Sequence, residues 1–224
     1  VRGLFVTGTG TGVGKTILSA ALLAAMRSAG ESVRAHKPVV TGIEEQSEGW
    51  PPDHELLALA AGLSPEEVAP FRYAQPVSPH LASTLAGDRI TPADLLANAR
   101  AAAGEHRTLI VEGVGGLLVP LTDSYTVRDL AVDLGLPVVI AAQPGLGTIN
   151  HTLLTLHGAR AAGLIVRAVV LTPWPEHPTA IEHSNRETVS RLGAVDVHGL
   201  RALGGPDVGA LRAAGEQLPW RSWL

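Results

Sequence analysis

A short apolar run, Leu4-Phe5-Val6, gives way to Gly8-Thr9-Gly10-Thr11-Gly12-Val13-Gly14-Lys15-Thr16, and helix-forming residues follow at once. A strand that ends in bare backbone and turns directly into a helix N-terminus builds a cradle for an anion. Glycines let successive N–H groups turn inward, and the helix dipole adds positive potential. Lys15 reaches the β- and γ-phosphates of a nucleotide, and Thr16 supplies a hydroxyl for magnesium. The residues expected to contact a nucleoside triphosphate are Thr11, Gly12, Val13, Gly14, Lys15, Thr16 and Ile17. The match to G-x-x-x-x-G-K-[ST] is not literal, because the first glycine of that spacing falls on Thr9.

The rest of the chain alternates short apolar runs with helical periodicity. Residues 4–7, 33–36, 109–111, 138–141 and 168–171 read as strands, several of them apolar without alternation, as strands buried on both faces are. Residues 14–27 read as a helix, with Leu18, Ala21, Leu22 and Ala25 at helical spacing and Gly30 beyond its end. Residues 148–162 and 179–192 read the same way. Strands alternating with helices imply right-handed crossovers. The expected fold is an α/β, P-loop NTPase-like parallel sheet with helices on both faces, built as one domain over residues 1–224. Ligands of such a sheet gather at the carboxyl ends of the strands. Residues 42–53 and 173–178 read as surface loops, and the segment 204–224, with Trp220 and Trp223, as a terminal stretch docked on the body.

Composition narrows the partners. A formal charge of −4 provides no basic stripe for nucleic acid, and the apolar runs are too short to span a bilayer. The run at residues 4–6 breaks into Thr7 and Gly8 too early to read as a signal peptide. No cysteine is present, so neither disulfides nor thiolate metal sites enter. A cytoplasmic protein acting on small molecules, with neither nucleic acid nor membrane as partner, is the expectation.

Phosphoryl transfer calls for a hard cation held by hydroxyls and carboxylates. Glu112 ends one strand and precedes Gly113-Val114-Gly115-Gly116, where bare backbone can approach a phosphate; the alternative is a solvated acid at a turn. Asp53 opens a helix after Pro51-Pro52, either as a magnesium ligand or as an N-cap. Lys37 closes the second strand just before Pro38, facing the pocket of Lys15 or else reaching outward into water. The histidines do not cluster at zinc-ligand spacing, and His151 and His157 read as packing or surface residues of one helix.

Five stretches occur in one order: V-T-G-T-G-T-G-V-G-K-T at 6–16, H-K-P-V-V-T-G at 36–42, P-V-S-P-H at 76–80, V-E-G-V-G-G-L at 111–117 and G-L-G-T-I-N-H at 145–151. Together they cover roughly the first two-thirds of the chain, and they resemble the dethiobiotin synthetases. The resemblance implies a magnesium-dependent cyclo-ligase in which carbon dioxide adds to one amine of 7,8-diaminopelargonic acid as a carbamate. ATP then phosphorylates that carbamate, and the second amine closes a cyclic urea. By the same resemblance Thr16, Asp53 and Glu112 hold magnesium, Lys15 and Lys37 are catalytic, and Thr41 touches the substrate. Leu146, Gly147 and Asn150 would bind the substrate's carboxylate across the interface of a homodimer. Where relatives place an asparagine to read adenine, this chain has Thr172-Pro173, so the preferred base is left open. A switch-type ATPase of the partitioning class is the rival reading. Those proteins carry an extra lysine early in the loop, and residues 8–13 contain none.

Overall fold

The computed structural model describes residues 2–44, 49–104 and 107–224. In chain order the elements begin with β1 (Arg2–Gly8), α1 (Lys15–Ser28), β2 (Val33–His36), β3 (Val39–Thr41), α2 (Asp53–Ala61), α3 (Pro65–Val68) and β4 (Phe71–Tyr73). Next come α4 (Pro79–Leu85), α5 (Pro92–Ala103), β5 (Thr108–Glu112), α6 (Val127–Leu134), β6 (Val138–Ala142) and α7 (Thr148–Ala161). The chain ends with β7 (Val166–Trp174), α8 (Ala180–Gly193), β8 (Asp196–Arg201), α9 (Val208–Glu216) and a 3-10 turn at Trp220–Ser222.

Six strands form one parallel sheet in the order β2-β5-β1-β6-β7-β8. Its central strands are apolar on both faces because each face carries a layer of helices. Leu18, Leu22, Met26, Leu57 and Leu211 fill one side, and Leu95, Leu130, Leu156 and Val189 the other. The five strands expected from the sequence all appear, and so do the three helices. Helix starts follow local chemistry: Thr91 with Asp94, Thr126 with Asp129 and Thr179 with Glu182 each form a reciprocal capping box that satisfies otherwise orphaned N–H groups.

Register then decides which residues meet. Val6 lies opposite Glu112, His36 opposite Val111 and Gly8 opposite Ala141, so four strands finish along one rim. The loop after β1, Lys37 after β2, Glu112 at the end of β5 and Gln143 after β6 are delivered to that rim together.

Three features depart from the sequence reading. β3 and β4 form a separate two-stranded parallel sheet beside the rim; each is three residues long, too short for periodicity to reveal. β7 continues through Pro173 to Trp174, so the expected loop there shrinks to the residues beyond. Of the expected loop at 42–53, residues 45–48 lie outside the described residues, and its end is the start of α2.

The terminal segment is a packed element. α9 lies on α1 so closely that a Cβ added to Gly215 would sit 2.0 Å from the carbonyl oxygen of Ala21. Trp220 and Trp223 are buried in the same helix layer. Small residues at this crossing let two backbones approach, and even one methyl group forces them apart. Gly215→Ala is therefore expected to cost roughly 1–3 kcal/mol, seen as a fall of several degrees in Tm by calorimetry.

Candidate active site

The glycine-rich loop wraps around the end of β1 as its sequence requires. Gly14 caps α1 at φ 83, a left-handed conformation. A Cβ there would also meet the Thr172 methyl group at 2.5 Å, so the position excludes side chains on two counts. Position 9 is not among the residues with positive φ, and its N–H continues toward the Ala141 carbonyl at 3.0 Å. A threonine therefore fits where the literal motif has glycine. Lys15 is buried and donates to the Gly10 carbonyl at 2.9 Å, curling back over the loop.

Next to it lies the most charged cluster on the rim. Glu112 is 0% exposed and Lys37 2%. Lys37 forms ion pairs with both Glu112 and Asp53. The Thr16 hydroxyl lies 2.8 Å from Asp53 Oδ1 and 2.9 Å from Glu112 Oε1. One hydroxyl carries one proton, so it serves only one carboxylate at a time. Glu112 Oε2 is buried with no hydrogen-bond partner among the described residues.

This geometry removes one side of each of the three alternatives left open by the sequence. Lys37 points inward, and Glu112 is no solvated acid. Pro52 occupies the N-cap of α2, and Asp53, its first helical residue, spends its carboxylate on Thr16 and Lys37. The N-cap reading of Asp53 is thereby overturned.

Burial works against each of these charges, and the neighbours decide the outcome. Burial would lower the Lys37 ammonium, but Asp53 and Glu112 outweigh it and hold the group above its ordinary value. Burial would raise the Asp53 carboxyl, but Lys37 and Thr16 keep it below the usual carboxylate range. Lys15 goes the other way: burial, then the like charge of Lys37, push it down to about 8. His36, beside Lys37 in the chain, is pushed by burial to about 4 and adds no charge near neutral pH.

A cavity of about 700 Å³ opens above this cluster. Thr11, Gly12, Gly14, Lys15, Thr16, Ile17, Lys37, Thr41, Asp53, Val114 and Gly115, all expected from the sequence, line it. Val13 is buried beneath the loop. Gly113 and Thr172 support the cradle without lining it. The Gly113 N–H bonds the Val6 carbonyl at 2.9 Å, and Thr172 backs Gly14 with Pro173 exposed beside it. Leu146, Gly147 and Asn150 stand apart, exposed at the start of α7. The sequence reading gave no role to Trp50, Pro51, Leu56, Val119 or the stretch 76–79, which form the cavity's remaining, mostly apolar, walls. The Pro76–Pro79 stretch was visible as a motif, but only the β3–β4 sheet carries it to the rim.

A parallel α/β sheet whose first strand runs into a lysine- and threonine-bearing glycine loop, with one acid at the neighbouring strand end and a second at a helix start beside it, is the architecture of a P-loop nucleotide enzyme. A family model described as an AAA domain matches residues 2–200. Three ATP-dependent dethiobiotin synthetases are similar over most of their length. That of Anaeromyxobacter sp. (strain Fw109-5) is 42% identical over 206 residues, 87% of this chain and 91% of the relative. That of Bacillus subtilis (strain 168) is 36% identical, covering 89% and 87%, and that of Mycobacterium sp. (strain KMS) 42%, covering 86% and 84%. The chain belongs to the ATP-dependent dethiobiotin synthetase family.

The charge cluster generates two expected outcomes. Lys37→Met strands a buried carboxylate and should cost about 3–5 kcal/mol in urea denaturation; adding Glu112→Gln removes that charge and should restore much of the loss. A bound triphosphate raises Lys15 from its value of about 8, so binding takes up a proton above that pH and affinity falls as pH rises. Calorimetry in buffers of different ionisation enthalpy should show the uptake at about pH 9 and its disappearance at about pH 6.5.

Proposed function

We propose that this chain makes dethiobiotin from 7,8-diaminopelargonic acid, carbon dioxide and ATP, releasing ADP and phosphate. The observation that carries the reading is the meeting of Lys15, Lys37, Thr16, Asp53 and Glu112 beneath one cavity. One amine of the substrate takes up carbon dioxide as a carbamate, and a carbamate oxygen attacks the γ-phosphorus of ATP as ADP leaves. The second amine then attacks the carbamoyl carbon, the ring closes, and phosphate departs.

Negative charge gathers on the carbamate and on the transferring phosphoryl group, and two ammonium groups face it. Lys15, folded over the loop, neutralises the β- and γ-phosphates. Lys37, kept protonated by its carboxylates, lies where the carbamate meets the phosphoryl group. At ~4 Å and an effective dielectric near ~20 one such contact is worth about 4 kcal/mol, roughly a thousandfold in rate if it acts only in the transition state.

The donor set also fits magnesium: a hydroxyl and two carboxylates converge, all hard oxygens, and one carboxylate oxygen is buried with no partner among the described residues. Thr16, Asp53 and Glu112 would hold the ion, which when bound neutralises charge on the phosphate oxygens. Thr41, on the cavity wall, would contact the diamino acid.

The remaining contacts come from a second copy. Leu146 is fully exposed, and with Gly147 and Asn150 it lies outside the cavity of its own chain. A homodimer in which this loop reaches the partner's cavity gives these residues an apolar burial and a substrate carboxylate to bind. On this reading the chain acts as one domain, in the cytoplasm, on small-molecule substrates.

Purified protein given diaminopelargonic acid, bicarbonate and a magnesium nucleotide should form dethiobiotin with one phosphate released per product. Lys37→Ala should lower kcat about a thousandfold, and a chelator should abolish turnover. Comparing ATP, CTP and GTP ranks the bases accepted beside Thr172 and Pro173. Nucleotide hydrolysis indifferent to the diamine would instead favour a switch-type ATPase.

A further inference from the structure

The loop between β6 and α7, residues 143–147, leads into the contacts assigned to the substrate's carboxylate, yet its sequence, Gln-Pro-Gly-Leu-Gly, carries little conformational preference of its own. Its shape is imposed from outside. Asn185, on α8 and 9% exposed, points its side-chain amide at this loop. Nδ2 donates to the Pro144 carbonyl at 2.9 Å and to the Gly145 carbonyl at 3.2 Å. An amide nitrogen has two hydrogens, and here each finds a carbonyl on consecutive peptides. That double contact sets the planes of both peptides.

The orientation of these peptides is passed on to the start of α7. The Gly145 carbonyl also accepts from the Thr148 N–H at 3.3 Å, and the Gly147 carbonyl from the His151 N–H at 3.2 Å. The rotation of the Gly145 peptide therefore sets the aim of the Leu146 N–H on the same peptide plane, and through the Thr148 N–H the entry to the first turn of α7. At the loop's other end the Gln143 side chain donates to the Gly12 carbonyl at 3.2 Å. The loop is thus pinned to the phosphate cradle on one side and to α8 on the other.

We infer that Asn185 is a positioning residue for the substrate's carboxylate, holding the backbone of the 143–147 loop in its receiving orientation without touching the substrate. The inference rests on the reading that residues 146–150 bind that carboxylate. Leucine at this position matches asparagine in branching and donates nothing, leaving the Pro144 carbonyl without this donor and the Gly145 carbonyl held by the Thr148 N–H alone.

Steady-state kinetics with the diamino acid and the nucleotide varied separately test it. Asn185→Leu should raise the KM for the diamino acid about ten- to thirtyfold, the loss expected from two neutral hydrogen bonds. The nucleotide KM should stay within about twofold, because the phosphate cradle makes no bond to Asn185. Amide hydrogen exchange should quicken at Thr148 and His151, whose N–H groups bond the loop's carbonyls, and stay unchanged at residues 10–16. Asn185→Ala is the second variant should leucine fail to pack. An unchanged KM for the diamino acid, or equal changes in both KM values with a lowered Tm, would overturn the inference. Asn150→Ala separates it from the reading beneath it. If that variant leaves the diamino acid KM unaltered, the carboxylate assignment itself fails; if it raises the KM while Asn185→Leu does not, only the positioning role fails.

Discussion

Glu112 ends a central strand with no exposure to solvent, and a carboxylate so placed must meet a cation or lose its charge. Lys37 is that cation, and it is buried as deeply. Neither group is tenable there alone: removing either strands the other in a medium that solvates it poorly. The pair also holds Asp53 and the Thr16 hydroxyl within reach, so one electrostatic requirement organises the ends of β2 and β5, the start of α1 and the start of α2. A site whose acids and lysines are already placed spends little on reorganisation when a polyanion arrives.

The backbone around the cluster is arranged to let that polyanion come close. Gly14 turns left-handed against Thr172, and the Gly113–Gly116 turn rests directly on the phosphate loop, with a Cβ at Gly116 falling 3.6 Å from the Gly8 carbonyl oxygen. On the far side of the sheet's first helix, Gly215 allows α9 to seal the helix layer. The chain's terminal tryptophans belong to that seal, and neither lines the cavity.

Much of this was legible in the residues. The five main strands and three of the helices follow from apolar runs and glycine punctuation, and Lys15, Thr16 and Glu112 were placed by their positions relative to strand ends. Asp53 was not legible to the same degree, because an aspartate after two prolines caps a helix as readily as it serves a site. The difference lies in whether Pro52 or Asp53 occupies the cap, a matter of one residue. The β3–β4 sheet was missed because three-residue strands carry no periodicity, and with it went the apolar wall at Trp50, Leu56 and Pro76–Pro79.

Local sequence determined the phosphate cradle, since the dihedral freedom of its glycines, the lysine and the helix start all lie within nine consecutive residues. It determined the strand–helix alternation for the same reason: periodicity and capping act over a single turn or strand. Only the tertiary structure decided which distant charges became partners. Residues 16, 37, 53 and 112 meet because β2 and β5 are neighbours in register, and strand order is set by how whole helices pack on the sheet. Asn185 and the 143–147 loop, on different crossovers, illustrate the same division. A hydrogen bond between segments far apart in the chain exists only once the packing that brings them together has formed.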